Sequence, residues 1–351
     1  MSEAYDLTCV IHLHSTYSDG TGTVPQIARA AERAGVDVVL LTDHDTLEAK
    51  RRGEERWYGD ALVLVGEEVT PIDRDHFLAF GIDKEISPRL SGPEICRAVA
   101  DAGGFGFAAH PFSRGSERFR RPGIRFGELD CLDGLELWSF LNDTGERVRG
   151  FRDLARMILT PQRAIAGAPP DNVREWDRLC AARRVVAIGG LDAHQFGIRI
   201  AGRVPIRAMS YKRSFKQLHT HVLCEDAPTR ELEHDRALVY DALREGRCYI
   251  AVDAIAPAKG FAFWATDANG AHDLPMGAER AFEPGWTAHA RLPRAAHIRL
   301  LRDGETVAEI DSDEMHHPIE RYGVHRLEVT LGNRAWIVSN PIYFRDSQTY
   351  S

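Results

Sequence analysis

The sequence predicts an α/β fold, with a closed or distorted barrel of about seven strand–helix units followed by a small, sandwich-like antiparallel β domain. Through the first two thirds of the chain, short apolar runs alternate with helical stretches. Such alternation implies parallel strands joined by right-handed crossovers. About seven units, most with polar residues at their strand ends, favour a closed or distorted barrel over an open sheet. After about residue 225 the chain becomes β-rich, so the predicted domains are residues 1–225 and 226–351.

The first units show their boundaries clearly. A strand is predicted over residues 9–13, and the helix that follows has Thr23 as N-cap, Pro25 in its first turn and Gly35 just past its end. Residues 36–42 are almost wholly apolar, which is typical of a strand covered on both faces. The sequence therefore predicts a complete strand–helix–strand unit at the start of the chain.

Later units repeat the pattern. Ser91 and Glu94 have the spacing of a capping box, and Gly103 and Gly104 mark the end of that helix. A further helix is predicted from Asp171 through Ala182. The remaining strands of the barrel are predicted over residues 61–65, 77–82, 105–109, 134–138 and 185–189.

The C-terminal third is predicted to contain a helix, a strand and then hairpins. The stretch 227–251 predicts one helix leading into a strand. Asn269-Gly270 and Asp303-Gly304 are typical of tight hairpin turns. We therefore expect a small antiparallel sandwich packed on the barrel.

Composition limits the classes of function. The chain has 351 residues and a formal net charge of −8, which argues against broad attraction to extended nucleic acid or anionic membranes. The six cysteines are dispersed without a CxxC pair, so neither a thiolate zinc site nor a disulfide framework is expected. No basic-then-apolar leader and no apolar run of ~20 residues is present. We expect a reduced, cytoplasmic protein without a membrane partner.

Nine histidines and carboxylates stand in, or beside one end of, the predicted strands. Side chains at i and i+2 of a strand share a face, so His12 with His14, and Asp192 with His194, can address one ion. Glu68 is suited to bridge two ions, and Asp43 and Asp45 could either orient the ring nitrogens of His44 or balance charge beside it. A set made only of imidazoles and carboxylates suits Zn, Mn or Fe. The nine candidate metal ligands are His12, His14, Asp19, His44, Glu68, His76, His110, Asp192 and His194.

Several other polar residues have simpler interpretations. His219 and His221 copy the spacing of the first pair but lack its context, which favours a structural or rim role. His316 and His317 are expected to lie in an acidic turn and to be solvated, and Trp138 is expected to belong to the barrel wall. Glu67 is expected to point away from the site. The arginines that follow His110 could form a solvated loop or bind an anion; they are Arg114, Arg118, Arg120, Arg121 and Arg125.

The motifs HLHSTYSDG, LTDHDT, GEE, DHFLAFGI, AAHP and GLDAH resemble, in that order, those of the polymerase and histidinol phosphatase (PHP) family of metallohydrolases. The resemblance covers roughly residues 7–222 and includes all nine positions. It implies a distorted (β/α)7 barrel with two or three divalent ions. The implied ligand sets are His12, His14, Glu68 and Asp192 for one ion, Glu68, His76 and His110 for a second, and Asp19, His44 and His194 for a third.

The C-terminal segments REGRCYIA and WIVSNPIYF resemble, more loosely, the carbaryl hydrolase-like (CehA/McbA) branch of that family. Together these resemblances imply a hydrolase in which metal-bound hydroxide attacks a small-molecule ester. Phosphate mono- or diesters are the expected substrates, and a carbamate or carboxylic ester is the alternative substrate. A third hypothesis is that the protein is a non-catalytic metal-binding module. Asp192, His194 and Glu68 are the expected catalytic residues, with Arg114 fixing an oxyanion. The sequence leaves the oligomeric state open.

Overall fold

The computed structural model describes residues 4–71, 75–115, 131–195, 197–200, 203–207, 209–270 and 273–347. The helices are α1 Val24–Glu32, α2 Glu48–Arg51, α3 Gly92–Asp101, α4 Phe140–Gly145, α5 Phe151–Leu159, α6 Pro170–Ala182, α7 Tyr211–Ser214 and α8 Leu232–Glu245. The strands are β1 Tyr5–Ile11, β2 Val38–His44, β3 Arg56–Tyr58, β4 Ala61–Val69, β5 His76–Phe80, β6 Phe105–Ala109, β7 Gly134–Ser139, β8 Val186–Gly190, β9 Gly197–Ile200, β10 Arg203–Arg207, β11 His219–Cys224, β12 Cys248–Ala251, β13 Ala262–Thr266, β14 Asp273–Pro275, β15 Glu279–Ala281, β16 Thr287–Arg302, β17 Glu305–Pro318, β18 Gly323–Leu331, β19 Arg334–Ser339 and β20 Ile342–Arg345.

The molecule is a mixed α/β structure built on one large sheet of 18 strands. The predicted parallel pairing is confirmed for β1–β2, β2–β4, β6–β7 and β7–β8. It is wrong for β5, which runs antiparallel to both β4 and β6. The connection from β4 to β5 spans only residues 70–75. A parallel crossover needs a dozen or more residues, so this short connection can only reverse the chain.

The run of strands from β1 to β8 returns to its starting point. Leu13 and Ala193, which follow the first and last of these strands, form a parallel β-bridge. The amide of Leu191 donates to the carbonyl of Ile11 (2.9 Å), and the amide of His14 donates to the carbonyl of Ala193 (3.0 Å). These bonds bring the ends of β1 and β8 side by side, although the distorted barrel itself stays a prediction.

The predicted helix starts are confirmed at two places. α1 begins directly after Thr23, whose amide donates to the side chain of Gln26 (3.2 Å). α3 begins after Ser91, and the carboxylate of Glu94 accepts bonds from both the amide (2.8 Å) and the hydroxyl (2.7 Å) of that serine. Glu94 thereby satisfies a backbone donor at the helix start that would otherwise lack a partner.

The C-terminal region contains the predicted hairpins. β13 pairs with β14 across the Asn269-Gly270 turn, and β16 pairs with β17 across Asp303-Gly304. Asp303 and Gly304 both have positive φ (53° and 83°), as a two-residue hairpin of this kind requires. The later strands bury a core of their own, centred on residues such as Leu300 and Trp336.

The two predicted regions share structure across their boundary. β11 pairs with β12, and β12 pairs with β19, so the sheet is continuous. Val239 and Leu243 of α8 are buried in the same cluster as Leu7 of β1 and Leu62 of β4. α8 therefore packs on the first region even though it follows residue 225. The division at that residue stays a prediction.

One expectation about the cysteines is wrong. Cys96 of α3 and Cys131 form a disulfide, with their Cα atoms 5.8 Å apart. The two are separated by 35 residues, so only the tertiary fold brings them together and no local spacing could indicate the pair. Among the described residues, no helix has the length and apolar character that crossing a membrane requires.

Candidate metal centre

All nine histidines and carboxylates singled out in the sequence lie in one cluster. His44 ends β2, Glu68 lies near the end of β4 and His76 begins β5. The others follow strands: His12, His14 and Asp19 come after β1, His110 after β6, and Asp192 and His194 after β8. The strand pairing brings these chain segments to one edge of the sheet, where their side chains meet.

The cluster divides into three overlapping groups, in each of which one candidate ligand atom per residue lies within 4.8 Å of the others. The groups are His12, His14, Glu68 and Asp192; then Glu68, His76 and His110; then His14, Asp19, His44 and His194. These have the membership that the resemblance implies, with His14 added to the third. Glu68 and His14 each belong to two of the groups, so the three groups lie next to one another.

Buried polar atoms at the centre of the cluster lack hydrogen-bond partners among the described residues. They include Nε2 of His12, Nε2 of His14 and Oε2 of Glu68. Both nitrogens lie 3.1 Å from that oxygen, close enough for an ion pair. Leaving such atoms unpaired is costly. A donor set that converges on a common point fits a metal ion.

Three of the nine residues have a strained backbone. His12, His110 and Asp192 have φ values of 63°, 31° and 50°, in the region that non-glycine residues seldom occupy. Strain of this kind concentrates at functional sites. It also corrects the sequence argument for His12 and His14. β1 ends at Ile11, so a left-handed turn, and not the pleat of a strand, aims both rings at the cluster.

The side chain of Glu136, in β7, lies beneath the cluster and was not predicted from the sequence. It is fully buried, and both its oxygens lie 3.2 Å from Nδ1 of His12. One of them also accepts the backbone amide of His110 (2.7 Å). A carboxylate that holds one ring nitrogen of a histidine directs the other nitrogen toward a metal. Asn142 has a similar role, since its Nδ2 donates to Asp192 (2.8 Å).

The aspartates on either side of His44 support loops and do not contact its ring by hydrogen bonds that the structure describes. Asp43 accepts the hydroxyls of Ser15 and Ser18, both at 2.6 Å, and so fixes the loop that carries Asp19. Asp45 accepts the amide of Thr70 (2.8 Å). The prediction that these carboxylates orient the ring nitrogens of His44 is therefore wrong, because Nδ1 of His44 lies 3.2 Å from the hydroxyl of Thr70 instead. Their alternative role, to balance charge beside His44, stays a prediction.

Burial and charge oppose each other at the carboxylates. Burial alone would raise the pKa of Glu68, but His12 and His76 hold this pKa well below its usual range. The pKa of Asp192 is also held low, by His194 and His12, against the effect of burial. The neighbouring Glu67 differs: burial raises its pKa to about 8, and its Oε1 accepts the amide of Ile86 (2.6 Å). Glu67 faces away from the cluster, as predicted.

A cavity of about 500 Å³ opens over the cluster. One wall is polar and consists of Asp19, His44, Glu68, His76, His110, Asp192 and His194. The other wall is apolar, with Leu141 of α4, Leu154, Met157 and Ile158 of α5, and Met209. No lysine or arginine among the described residues lines this cavity. Most of this apolar wall comes from helices between β7 and β8, and it was not predicted from the sequence.

The arginine loop lies largely outside the described residues, which include only Arg114 of the five arginines. The guanidinium of Arg114 is 74% exposed and forms an ion pair with Asp171 (2.7 Å). Its backbone amide donates to Glu146 (2.6 Å). A role for Arg114 in binding substrate stays a prediction, and the structure gives its charge another partner.

Trp138, His316 and the pair His219 and His221 all lie outside the candidate metal centre. Trp138 is buried in the core of the first region, as expected of a wall residue. His316 is 59% exposed and its Nδ1 lies 2.7 Å from that of His289, but it belongs to the long strand β17 and not to a turn. His219 and His221 are buried, and lie apart from the candidate metal centre.

Comparisons with known proteins place these features in context. No protein-family model matches the chain. An uncharacterized protein of Methanocaldococcus jannaschii is 26% identical over 148 residues, which cover 38% of this chain and 83% of that protein. A phosphoribosyl 1,2-cyclic phosphate 1,2-diphosphodiesterase of Eggerthella lenta is 36% identical over 89 residues, covering 23% of this chain and only 33% of the enzyme.

Among solved structures, the chain resembles a two-domain protein of Bacteroides vulgatus that contains a predicted PHP-like metal-dependent phosphoesterase. The likeness covers 97% of this chain and 96% of that protein, with 15% sequence identity and a TM-score of 0.46.

Proposed function

We propose that the chain is a metal-dependent phosphoesterase, with a PHP-type barrel that holds two or three divalent Mn, Zn or Fe ions. The observation that carries the proposal is the set of buried, unpaired donor atoms of His12, His14 and Glu68 at the centre of the nine-residue cluster. The phosphodiesterase activity of the Eggerthella lenta relative supports the same reaction class.

The proposed ligands keep the division into three groups, with Glu68 shared by two ions. Bound divalent ions would polarise a phosphoryl oxygen and lower the pKa of water to near neutrality. The protein's own residues position the ligands for this chemistry. Glu136 fixes the ring of His12, Asn142 holds Asp192, and Asp43 holds the loop that brings Asp19 to the rim.

Charge relates the number of ions to the class of substrate. Asp19, Glu68, Glu136 and Asp192 supply four negative charges at the site, so two divalent ions balance them and a third leaves an excess of two positive charges. Since no described lysine or arginine lines the cavity, the ions must supply the attraction for an anionic substrate. A site filled with three ions therefore suits a phosphate ester.

The apolar wall favours a second candidate, a neutral carbamate or carboxylic ester hydrolase. Leu154 and Met157 line the same cavity as the candidate metal ligands, and such an apolar surface suits the organic part of an ester. A phosphate ester with an aromatic group would use both walls, so the wall alone does not distinguish the candidates. The net charge over the cavity, which the number of bound ions sets, distinguishes a phosphate ester from a neutral ester.

The experiment compares an aryl phosphate monoester, an aryl phosphodiester, an aryl acetate and an aryl carbamate, all with the same leaving group. We expect phosphoester turnover that requires bound metal and is lost in His12→Ala and Asp192→Ala, each checked for retained fold by circular dichroism. Faster turnover of the acetate or carbamate than of either phosphoester would replace the proposal by the second candidate. Near-normal phosphoester rates in either variant would remove that residue from the site.

A further inference from the structure

A second group of metal-binding side chains lies outside the candidate metal centre. His219 and His221 are two residues apart in β11 and so share a face of that strand. Asp253 follows β12, which pairs with β11. Nδ1 of His219 lies 2.8 Å from Oδ2 of Asp253, and Nε2 of His221 lies 3.0 Å from the same oxygen. Two ring nitrogens and one carboxylate oxygen thus converge.

The other nitrogen of each ring also faces an acceptor. Nε2 of His219 lies 2.5 Å from the carbonyl oxygen of Phe215, and Nδ1 of His221 lies 2.8 Å from Oδ1 of Asp6. A neutral imidazole has a single N–H. If each ring uses it on this outer side, both nitrogens that face Asp253 present lone pairs to a carboxylate oxygen. Such an arrangement requires either a second proton on each ring or a cation between them.

The surroundings are those of a metal site. Histidines that bind metals nearly always donate their other N–H to a carboxylate or a backbone carbonyl, and Asp6 and Phe215 are such acceptors here. Asp6 is itself held by the hydroxyl of Tyr249 (2.8 Å) and the amide of Gly260 (2.9 Å). Oδ1 of Asp253 accepts the amide of Ala258 (2.9 Å). All three ligand side chains are therefore oriented before any ion arrives.

We propose that His219 Nδ1, His221 Nε2 and Asp253 Oδ2 bind one divalent cation, with Zn²⁺ the best fit, at a site separate from the candidate metal centre. Two imidazoles and one carboxylate form a familiar three-residue zinc set that leaves a fourth position open. The charges of Asp6 and Asp253 balance one divalent ion. The site would tie β11 to the segment after β12 and, through Asp6, to β1.

The site is distinct from the first and is reachable. Thr8 lies opposite His221 in the β1–β11 pairing, and His12 is four residues further along, roughly 13 Å away at ~3.3 Å per residue. His219 and Asp253 line a surface cleft of about 570 Å³, together with Lys216 and Lys259. A further ligand of the ion, such as water, could reach it from this cleft.

Protons compete with the metal for this site. Burial alone would lower the pKa of His221, but hydrogen bonds to Asp253 and Asp6 raise it to about 9. Doubly protonated rings would satisfy the same contacts without a cation. This protonated network is the outcome that contradicts the proposal.

The test uses the full chain loaded with Zn²⁺ near pH 8 and freed of excess metal by gel filtration. We expect an anomalous difference map at the zinc edge to show a peak between the three ligand atoms, in addition to those at the candidate metal centre. We also expect His219→Gln and Asp253→Asn to contain one zinc per chain fewer than the wild type. His316→Gln, which alters an exposed histidine in β17, is the matched control and should keep the full count.

A wild-type map without a peak at His219, His221 and Asp253 while the candidate metal centre is occupied would overturn the proposal, as would equal zinc content in the wild type and both ligand variants. The wild-type map decides even if a variant fails to fold. Because the readout is metal at a defined position, the outcome does not depend on the proposed phosphoesterase activity.

Discussion

Replacing Glu136 with glutamine tests how far a residue that binds no ion itself controls the candidate metal centre. Glu136 is fully buried and holds both Nδ1 of His12 and the amide of His110. Glutamine has the same size but only one acceptor oxygen. If that oxygen stays with the amide of His110, the NH₂ group faces His12. The ring must then accept at Nδ1 and carry its proton on Nε2, the nitrogen proposed to bind metal.

The size of the effect follows from this change. Losing a hydrogen bond to a charged group costs about 1.5–3 kcal/mol, and each 1.4 kcal/mol is a factor of ten in affinity. We therefore expect Glu136→Gln to weaken binding at the ion held by His12 by about ten- to a hundredfold, in line with other carboxylates that support metal-binding histidines.

The assay is competition with a chelator of known affinity, followed by elemental analysis of the protein. Glu67→Gln is the matched control, since Glu67 is also buried but bonds to the amide of Ile86 on the far side of β4. That control should retain wild-type affinity. An affinity of Glu136→Gln within twofold of the wild type would refute the positioning role of Glu136.

Three further predictions concern other residues. Glu68→Gln should lower occupancy at two ions, whereas Asp19→Asn, at the 57% exposed rim, should chiefly empty the third; equal losses by elemental analysis would contradict the proposed division. Burial lowers the pKa of His325 to about 4 from its ordinary 6.5, so the unfolded chain takes up this proton first as the pH falls. The free energy of unfolding should therefore fall by about 3 kcal/mol between about pH 6.5 and 4. In urea unfolding at a series of pH values, His325→Gln should remove this part of the pH dependence of the unfolding free energy. The same pH dependence in the variant and the wild type would contradict the prediction. Arg326 is 2% exposed and donates two hydrogen bonds to Asp177 of α6 (2.9 and 3.0 Å). Arg326→Met should lower the free energy of unfolding by about 3 kcal/mol because it leaves the Asp177 carboxylate without this partner. Adding Asp177→Asn to Arg326→Met should recover part of the loss, whereas additive losses in the double variant would contradict the coupling.

The sequence predicted the nine clustered residues because each stands at a recognisable place, beside a short apolar run. Strand ends that meet at one edge of a sheet bring such residues together whatever the detailed path of the chain. Small errors in the predicted bounds or direction of a strand therefore do not change which residues meet. The first strand was predicted to end two residues too late, and β5 was predicted with the wrong direction, yet His12 and His76 still reach the cluster.

Features that depend on tertiary packing could not be predicted in this way. Glu136 stands between leucines in GLELW, and alternation in a strand does not distinguish an acid facing a metal centre from one facing solvent. The pairing of Cys96 with Cys131 and the apolar wall from α5 depend on how distant segments meet. For Glu136 a signal did exist: an acid inside a strand otherwise predicted to be buried needs a partner.

His219 and His221 show the opposite case. Their spacing matches that of His12 and His14, but without the surrounding motif the sequence favours a structural or rim role. The sequence could not reveal Asp6 and Asp253, which lie 215 and 32 residues from His221 and complete its surroundings. Only the pairing of β11 with β1 and β12 brings these carboxylates to the two rings.

The most direct test of the central claim combines metal content with turnover of one substrate. Protein purified without chelator should contain two or three transition-metal ions per chain at the candidate metal centre, one more if the His219–His221–Asp253 site is filled. Chelation should abolish hydrolysis of an aryl phosphate ester, and adding back Mn²⁺, Zn²⁺ or Fe²⁺ should restore it. Phosphoester hydrolysis that persists after complete metal removal, or a candidate metal centre that holds at most one ion in the active protein, would contradict the account.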